Sequence, residues 1–196
     1  MIVSEGGKTE PYYFDQLRKY LGIKKEQVFI PNKYGGSDPK TLVDKAEEEF
    51  KIQLNKYQPG YDRVFVIFDR DTHSTFDAAK NKINVLNKQH KDKFKVIISV
   101  PCFELWLVLH FKYSSKPYQT IPTAKSACDC VIDDLKKDIK NYEKGNQDTF
   151  ENTKLLFCDA IRNAEKLEED RKSAGTDNPS TNVHDLVKYL VCELDK

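Results

Sequence analysis

Carboxylates follow two apolar runs of this chain, in a spacing that suits divalent-metal chemistry. The run MIVS is followed by Glu5, and the run VFVIF by Asp69 and Asp71. In α/β sheets, side chains at the carboxyl ends of parallel strands lie where ligands bind. Three carboxylates with no clear cysteine or histidine ligand favour Mg²⁺ or Mn²⁺, because hard cations prefer oxygen donors. The sequence therefore predicts a metal site and, with it, phosphate chemistry.

The side chains between and beside the two aspartates leave alternatives open. Residues Asp69 and Asp71 are two apart, so both carboxylates can point to one side of a strand end, while Arg70 points elsewhere. Acidic residues at a strand end can also simply cap the following turn. His73 is a candidate acid, base or phosphate contact, or a histidine in a solvated loop. Arg70 and His73 are thus candidate substrate-binding residues.

A glycine-rich turn follows the first acid. The sequence GGKT at residues 6–9 resembles part of a P-loop, but the Walker A pattern needs a glycine where this chain has Ile2. The glycines instead indicate a tight turn from a strand into a helix capped by Thr9. Lys8 is a candidate phosphate contact, since a helix start also supplies backbone donors.

A fourth acid, Glu104, lies in the apolar segment PCFELWLVLHF at residues 101–111. A charge in such a segment is unusual. One interpretation is that Glu104 lies in the first turn of a helix, where its negative charge interacts favourably with the helix dipole. The other is that Glu104 faces the metal site as a further catalytic acid. His110 lies about 120° away from Glu104 around a helix, which favours a structural role for the histidine.

These candidate residues need a sheet to position them. Apolar runs predict strands at residues 1–5, 28–30, 63–68 and 95–100, separated by amphipathic helices. This order predicts an α/β fold, a Rossmann-like parallel sheet of about four strands flanked by helices. After residue 101 the pattern predicts helices alone, at 102–111, 121–142, 148–172 and 182–195. We therefore expect an α/β domain over residues 1–112 and a helical extension over 113–196.

Composition limits the possible settings of the protein. The chain has 196 residues, 32% of them charged, and a net charge of +1, so no global basic character indicates nucleic acid. Cys102, Cys158 and Cys192 lie in apolar helical stretches and are expected in the core, and a reducing cytoplasm is expected. No signal peptide is recognisable, and no apolar run approaches the ~20 residues of a membrane span.

Three blocks of the sequence resemble the RloB-like family, which includes abortive-infection proteins. They are EGGKTEPYYF at residues 5–14, FDRD at 68–71 with PCFELWLVLHF at 101–111, and NPSTNVHDLV at 178–187. The resemblance implies a TOPRIM-type domain with added helices. Such domains carry a glutamate after the first strand and an Asp-x-Asp after the third, roles that fall to Glu5, Asp69 and Asp71.

The resemblance implies a metal-dependent nuclease in anti-phage defence, acting on DNA or RNA. A second hypothesis is a non-catalytic regulatory or binding module that docks a partner ATPase through its helical half. Homo-oligomers are compatible with either hypothesis, and no membrane partner is expected. A topoisomerase- or primase-like transfer is a weaker alternative, because none of the ten tyrosines is marked as a nucleophile by its surroundings.

Overall fold

The computed structural model describes residues 1–31, 35–36, 38–57, 60–70 and 74–193. Within these ranges the strands are β1 (Ile2–Ser4), β2 (Val64–Asp69), β3 (Phe94–Val100) and β4 (Ser180–Thr181). The helices are α1 (Thr9–Tyr20), α2 (Pro39–Lys56), α3 (Phe76–His90), α4 (Glu104–Phe111), α5 (Ala127–Leu135), α6 (Thr149–Thr153), α7 (Phe157–Ala174) and α8 (Val183–Glu193). Among the described helices, none combines the length and apolar character needed to cross a bilayer.

The strands form one sheet in the order β1-β2-β3-β4. Strand β1 is parallel to β2, and the short β4 is antiparallel to β3. The predicted α/β class is confirmed, and the sheet has four strands flanked by helices, but the antiparallel β4 makes it mostly rather than wholly parallel. The chain divides into two compact units, one with Met1–Phe68 and Thr72–Ile97, the other with Asp69–Asp71 and Ile98–Lys196. The predicted domain boundary at residue 112 stays a prediction.

The first unit is organised by the pairing of β1 with β2. Ile2 lies opposite Phe65 and Ser4 opposite Ile67. Residues 64–68 are all buried, as expected for a strand covered on both faces. Helix α2 contributes a buried stripe of apolar side chains, and Asp38 caps it by accepting hydrogen bonds from the N–H groups of Lys40 and Thr41.

The second unit is built around α4. All five residues from Leu105 to Leu109 are completely buried, because α4 packs against both α5 and α7. Burial stabilises the fold by roughly 2 kcal/mol for each large apolar side chain. The predicted helix at 102–111 is thus confirmed, starting at Glu104.

The end of β3 is held by the segment around β4. The Ile98 N–H donates to Oδ1 of Asn182 at 2.6 Å, and the hydroxyls of Ser99 and Thr181 are 2.9 Å apart. Just before β4, the Asn178 side chain accepts a hydrogen bond from the Tyr118 N–H and donates one to the Tyr118 carbonyl. The segment NPSTN at residues 178–182 therefore connects the end of β3 to Tyr118 within this unit.

Several sequence predictions of secondary structure are wrong. Residues 28–30 form no strand in the described chain, although the Phe29 carbonyl accepts a hydrogen bond from the Ile2 N–H at 2.9 Å. Pro31 follows directly and offers no N–H for a ladder. The fourth strand is instead β4, which has two residues, too few to show the alternating pattern by which a strand is recognised in a sequence. Thr9 is the first residue of α1 rather than its cap, a position that Lys8 occupies.

The C-terminal helices are shorter than predicted. Within the predicted helix at 121–142, the observed helix is α5, which covers Ala127–Leu135. It begins with a capping box formed by Ser126 and Asp129. The predicted helix at 148–172 is divided into α6 and α7.

Candidate functional site

The carboxyl ends of β1 and β2 carry two of the predicted acids. Glu5 follows β1, and its N–H donates to the Ile67 carbonyl at 2.9 Å. Asp69 is the last residue of β2. Both residues are half-buried. Two further candidates, Asp71 and His73, lie outside the described residues. The carboxylate oxygens of Glu5 and Asp69 are donors of the kind that suits Mg²⁺ or Mn²⁺.

The turn after β1 is shaped by glycines at a close backbone approach. A Cβ on Gly35 would lie 2.4 Å from the Gly7 Cα, so this crossing of two backbone segments excludes a larger residue. A Cβ on Gly6 would meet the carboxylate of Glu10, which is a buried acid that the sequence had not marked as a site candidate. Lys8 is exposed at the N-terminus of α1.

Arg70 is held by contacts within the second unit. The Arg70 guanidinium forms an ion pair with the Asp177 carboxylate, and the backbone N–H of Arg70 donates to the Ser99 carbonyl at 2.8 Å. The side chains of Arg70 and Asp177 are 46% and 45% exposed. The structure therefore shows this arginine in an ion pair that is accessible to solvent.

Glu104 is a buried carboxylate in the first turn of α4, 2% exposed. The Tyr142 hydroxyl donates to its Oε1 at 2.9 Å. The Lys144 Nζ lies 3.7 Å from Oε2, and the Cys128 Sγ lies 3.5 Å from the same oxygen. The structure therefore places three polar groups of the second unit around this acid. Its role as a catalytic acid stays a prediction.

His110 is buried in the same helix. Its Nδ1–H donates to the Trp106 carbonyl at 2.9 Å, and the two rings meet edge to face. Burial lowers the pKa of His110 to about 4, because a charged imidazolium would lose its hydration. These contacts match the structural role that the sequence favoured.

A disulfide joins Cys102 and Cys128, whose Cα atoms are 5.6 Å apart. The sequence placed Cys102 in the core, where it is, but gave no sign of this bond. Among the described residues, Cys102, Glu104 and Cys128 also form the one group of three potential metal ligands within mutual reach. The sequence spacing could not reveal this group, because Cys128 lies in α5 and comes close to Cys102 and Glu104 only through the packing of that helix.

The predictions for two other cysteines are wrong. Cys158 and Cys192 are exposed rather than in the core. Each lies two helix positions from a buried residue, Ala160 in α7 and Leu190 in α8. Two positions correspond to about 200° around a helix, so these cysteines occupy the opposite face.

Comparison with known proteins identifies the family. The family model described as RloB-like protein matches residues 1–190. Neither the search of curated proteins nor that of solved structures found a match. A match over almost the whole sequence shows that the chain belongs to the RloB-like protein family.

Proposed function

We propose that this protein is a metal-dependent nuclease that hydrolyses phosphodiester bonds of DNA or RNA in anti-phage defence. Membership of the RloB-like family supports a defence-associated role. The observation that carries the nuclease proposal is the parallel pairing of β1 with β2. Parallel strands end at the same edge of a sheet, and each of these two ends at an acid, Glu5 or Asp69.

In this proposal Asp69 and Asp71 hold Mg²⁺ or Mn²⁺, and Glu5 is a further ligand or the general base. The bound ion would stabilise charge on the scissile phosphate and help to orient an attacking water. Glu104 is proposed as an additional acid of the reaction. Carboxylates alone supply these functions, so no cysteine or histidine ligand is needed.

Cationic side chains would hold the nucleic-acid backbone. Lys8 is exposed at the start of α1, where backbone N–H groups also favour phosphate. Arg70 would exchange its pairing with Asp177 for a phosphate oxygen. His73 is proposed as a third contact.

The test is hydrolysis of DNA, plasmid and tRNA substrates with Mg²⁺ or Mn²⁺. Asp69→Asn should lower the rate by about 100-fold or more, because the variant loses a carboxylate that binds the ion. Asp62→Asn is a matched control, since Asp62 is an exposed aspartate just before the same strand. Unchanged cleavage by Asp69→Asn would refute the assignment.

The same assay should include the partner ATPase that we propose for this protein. Hydrolysis that needs the partner would mean that the nuclease is held inactive when alone. No hydrolysis in any combination, together with no Mg²⁺ binding by calorimetry, would support a regulatory module instead. The oligomeric state can be measured on the same samples by light scattering.

A further inference from the structure

The disulfide between Cys102 and Cys128 links two helices of the second unit. Cys102 lies just before α4, and Cys128 is in the first turn of α5. The two cysteines are 26 residues apart in sequence. Their Cα separation of 5.6 Å is near the commonest value for disulfides. The covalent bond therefore fits the packing of α4 against α5.

The two sulfurs differ in their access to solvent. Cys102 is 2% exposed, whereas Cys128 is only half-buried. A thiol from solution would therefore attack the Cys128 sulfur and release Cys102. The remaining cysteines have no disulfide and provide internal controls: Cys130, Cys158 and Cys192.

The state of the cysteine pair changes what surrounds a buried acid. The Cys128 Sγ lies 3.5 Å from Oε2 of Glu104, a distance at which a thiol can donate a hydrogen bond. A disulfide sulfur has no proton to donate. Glu104 therefore has the Tyr142 hydroxyl as a donor in both states, and gains the Cys128 thiol only after reduction.

The bond also closes a loop that contains a long irregular segment. Residues 112–126 connect α4 to α5 with one isolated bridge, between Ile121 and Lys125. The disulfide closes a covalent loop from Cys102 to Cys128 that contains α4 as well as this segment. Reduction would leave α5 held by its buried side chains, among them Val131 and Leu135, and by hydrogen bonds such as that from Tyr118 to Asp134.

We propose that Cys102 and Cys128 form a reversible redox site whose co-reactant is a low-molecular-weight disulfide. One protein thiolate attacks the co-reactant disulfide, which gives a mixed disulfide and releases one small thiol. The second protein cysteine then attacks the mixed disulfide and releases the second small thiol. The two protein thiols thus lose two electrons and two protons, which the co-reactant gains. This site does not depend on the proposed nuclease activity.

The test is a redox titration of the full chain in buffers of reduced and oxidised glutathione. Thiols are alkylated after acid quenching, and each cysteine is read by mass spectrometry. Cys102 and Cys128 should become protected together as the oxidised fraction rises, and an unreduced digest should contain the linked peptide. In Cys128→Ser, Cys102 should remain alkylated throughout, while Cys130→Ser should behave as the wild type.

Two further readouts test the link to structure. Hydrogen exchange of amides in residues 112–130 should become about tenfold faster after reduction, because the covalent loop between Cys102 and Cys128 is then open. Glu104→Gln should shift the titration midpoint about fivefold towards the disulfide, because the dithiol loses a hydrogen bond to a charged acceptor. Glu143→Gln, at an exposed position, is the matched control.

Three results would overturn the proposal. Both cysteines could remain alkylated in fully oxidised glutathione, or the disulfide could persist in excess reduced glutathione. The reduced protein could instead bind one Zn²⁺ through this pair and resist oxidation. An unchanged midpoint in Glu104→Gln would refute the coupling to the buried acid. The wild-type titration needs no variant, so misfolding of Cys128→Ser would leave the test intact.

Discussion

The hydrogen bond between Tyr142 and Glu104 offers a clean test of how the buried acid is stabilised. Tyr142→Phe removes only the hydroxyl that donates to Glu104 at 2.9 Å. Tyr142 is 1% and Glu104 2% exposed, so water cannot replace the lost donor. Lys144 lies at 3.7 Å, beyond hydrogen-bond distance. A hydrogen bond to a charged group contributes about 1.5–3 kcal/mol. We expect the free energy of unfolding to fall by about 2 kcal/mol.

The measurement is urea unfolding followed by circular dichroism, at neutral pH and in one fixed redox buffer. The expected loss corresponds to a Tm about 4–8 °C lower for a chain of this length. A double-mutant cycle with Glu104→Gln should give a coupling of about 1 kcal/mol or more, because the two groups contact each other directly. Tyr57→Phe is the control, since Tyr57 is 57% exposed and should change stability by less than about 0.5 kcal/mol.

Two results would refute this reasoning. Tyr142→Phe could unfold within about 0.5 kcal/mol of the wild type, the range of a neutral surface substitution. Alternatively, Tyr142→Phe could cost the same in the Glu104→Gln background as in the wild type, which would mean that the hydroxyl stabilises the fold through another contact.

Further outcomes follow from buried groups of the second unit. Burial lowers the pKa of His110 to about 4. Below pH 6.5 the unfolded state therefore binds a proton that the folded state does not. The free energy of unfolding consequently falls with decreasing pH until about pH 4. Urea unfolding should show about 2 kcal/mol less stability at pH 5 than at pH 7 from this group, a loss absent in His110→Asn and retained in His90→Asn. Asn182→Ala removes the acceptor for the Ile98 N–H and should cost about 1–3 kcal/mol in the same assay. An equal cost for the exposed Asn152→Ala would contradict that role.

Local sequence patterns predicted the elements that are strongly apolar or clearly capped. The run at 64–68 is a fully buried strand, and Asp38 with Pro39 starts α2. These features depend on residues adjacent in the chain, so a single sequence reveals them. The same reasoning failed at 28–30 and over 121–142, where apolar residues lie beside turns and irregular segments. Periodicity alone does not show which apolar segments find a partner strand.

The sequence by itself determined the fold class, the family blocks and the acids after strands, because each rests on residue type and local order. The candidate acids Glu5 and Asp69 belong to this part. Tertiary structure decided which distant groups meet. Cys102 bonds to Cys128, and Glu104 accepts from Tyr142 across 38 residues. Such contacts depend on how the helices pack against one another. The spacing of apolar residues along the chain does not show that packing, so only the folded structure reveals these contacts.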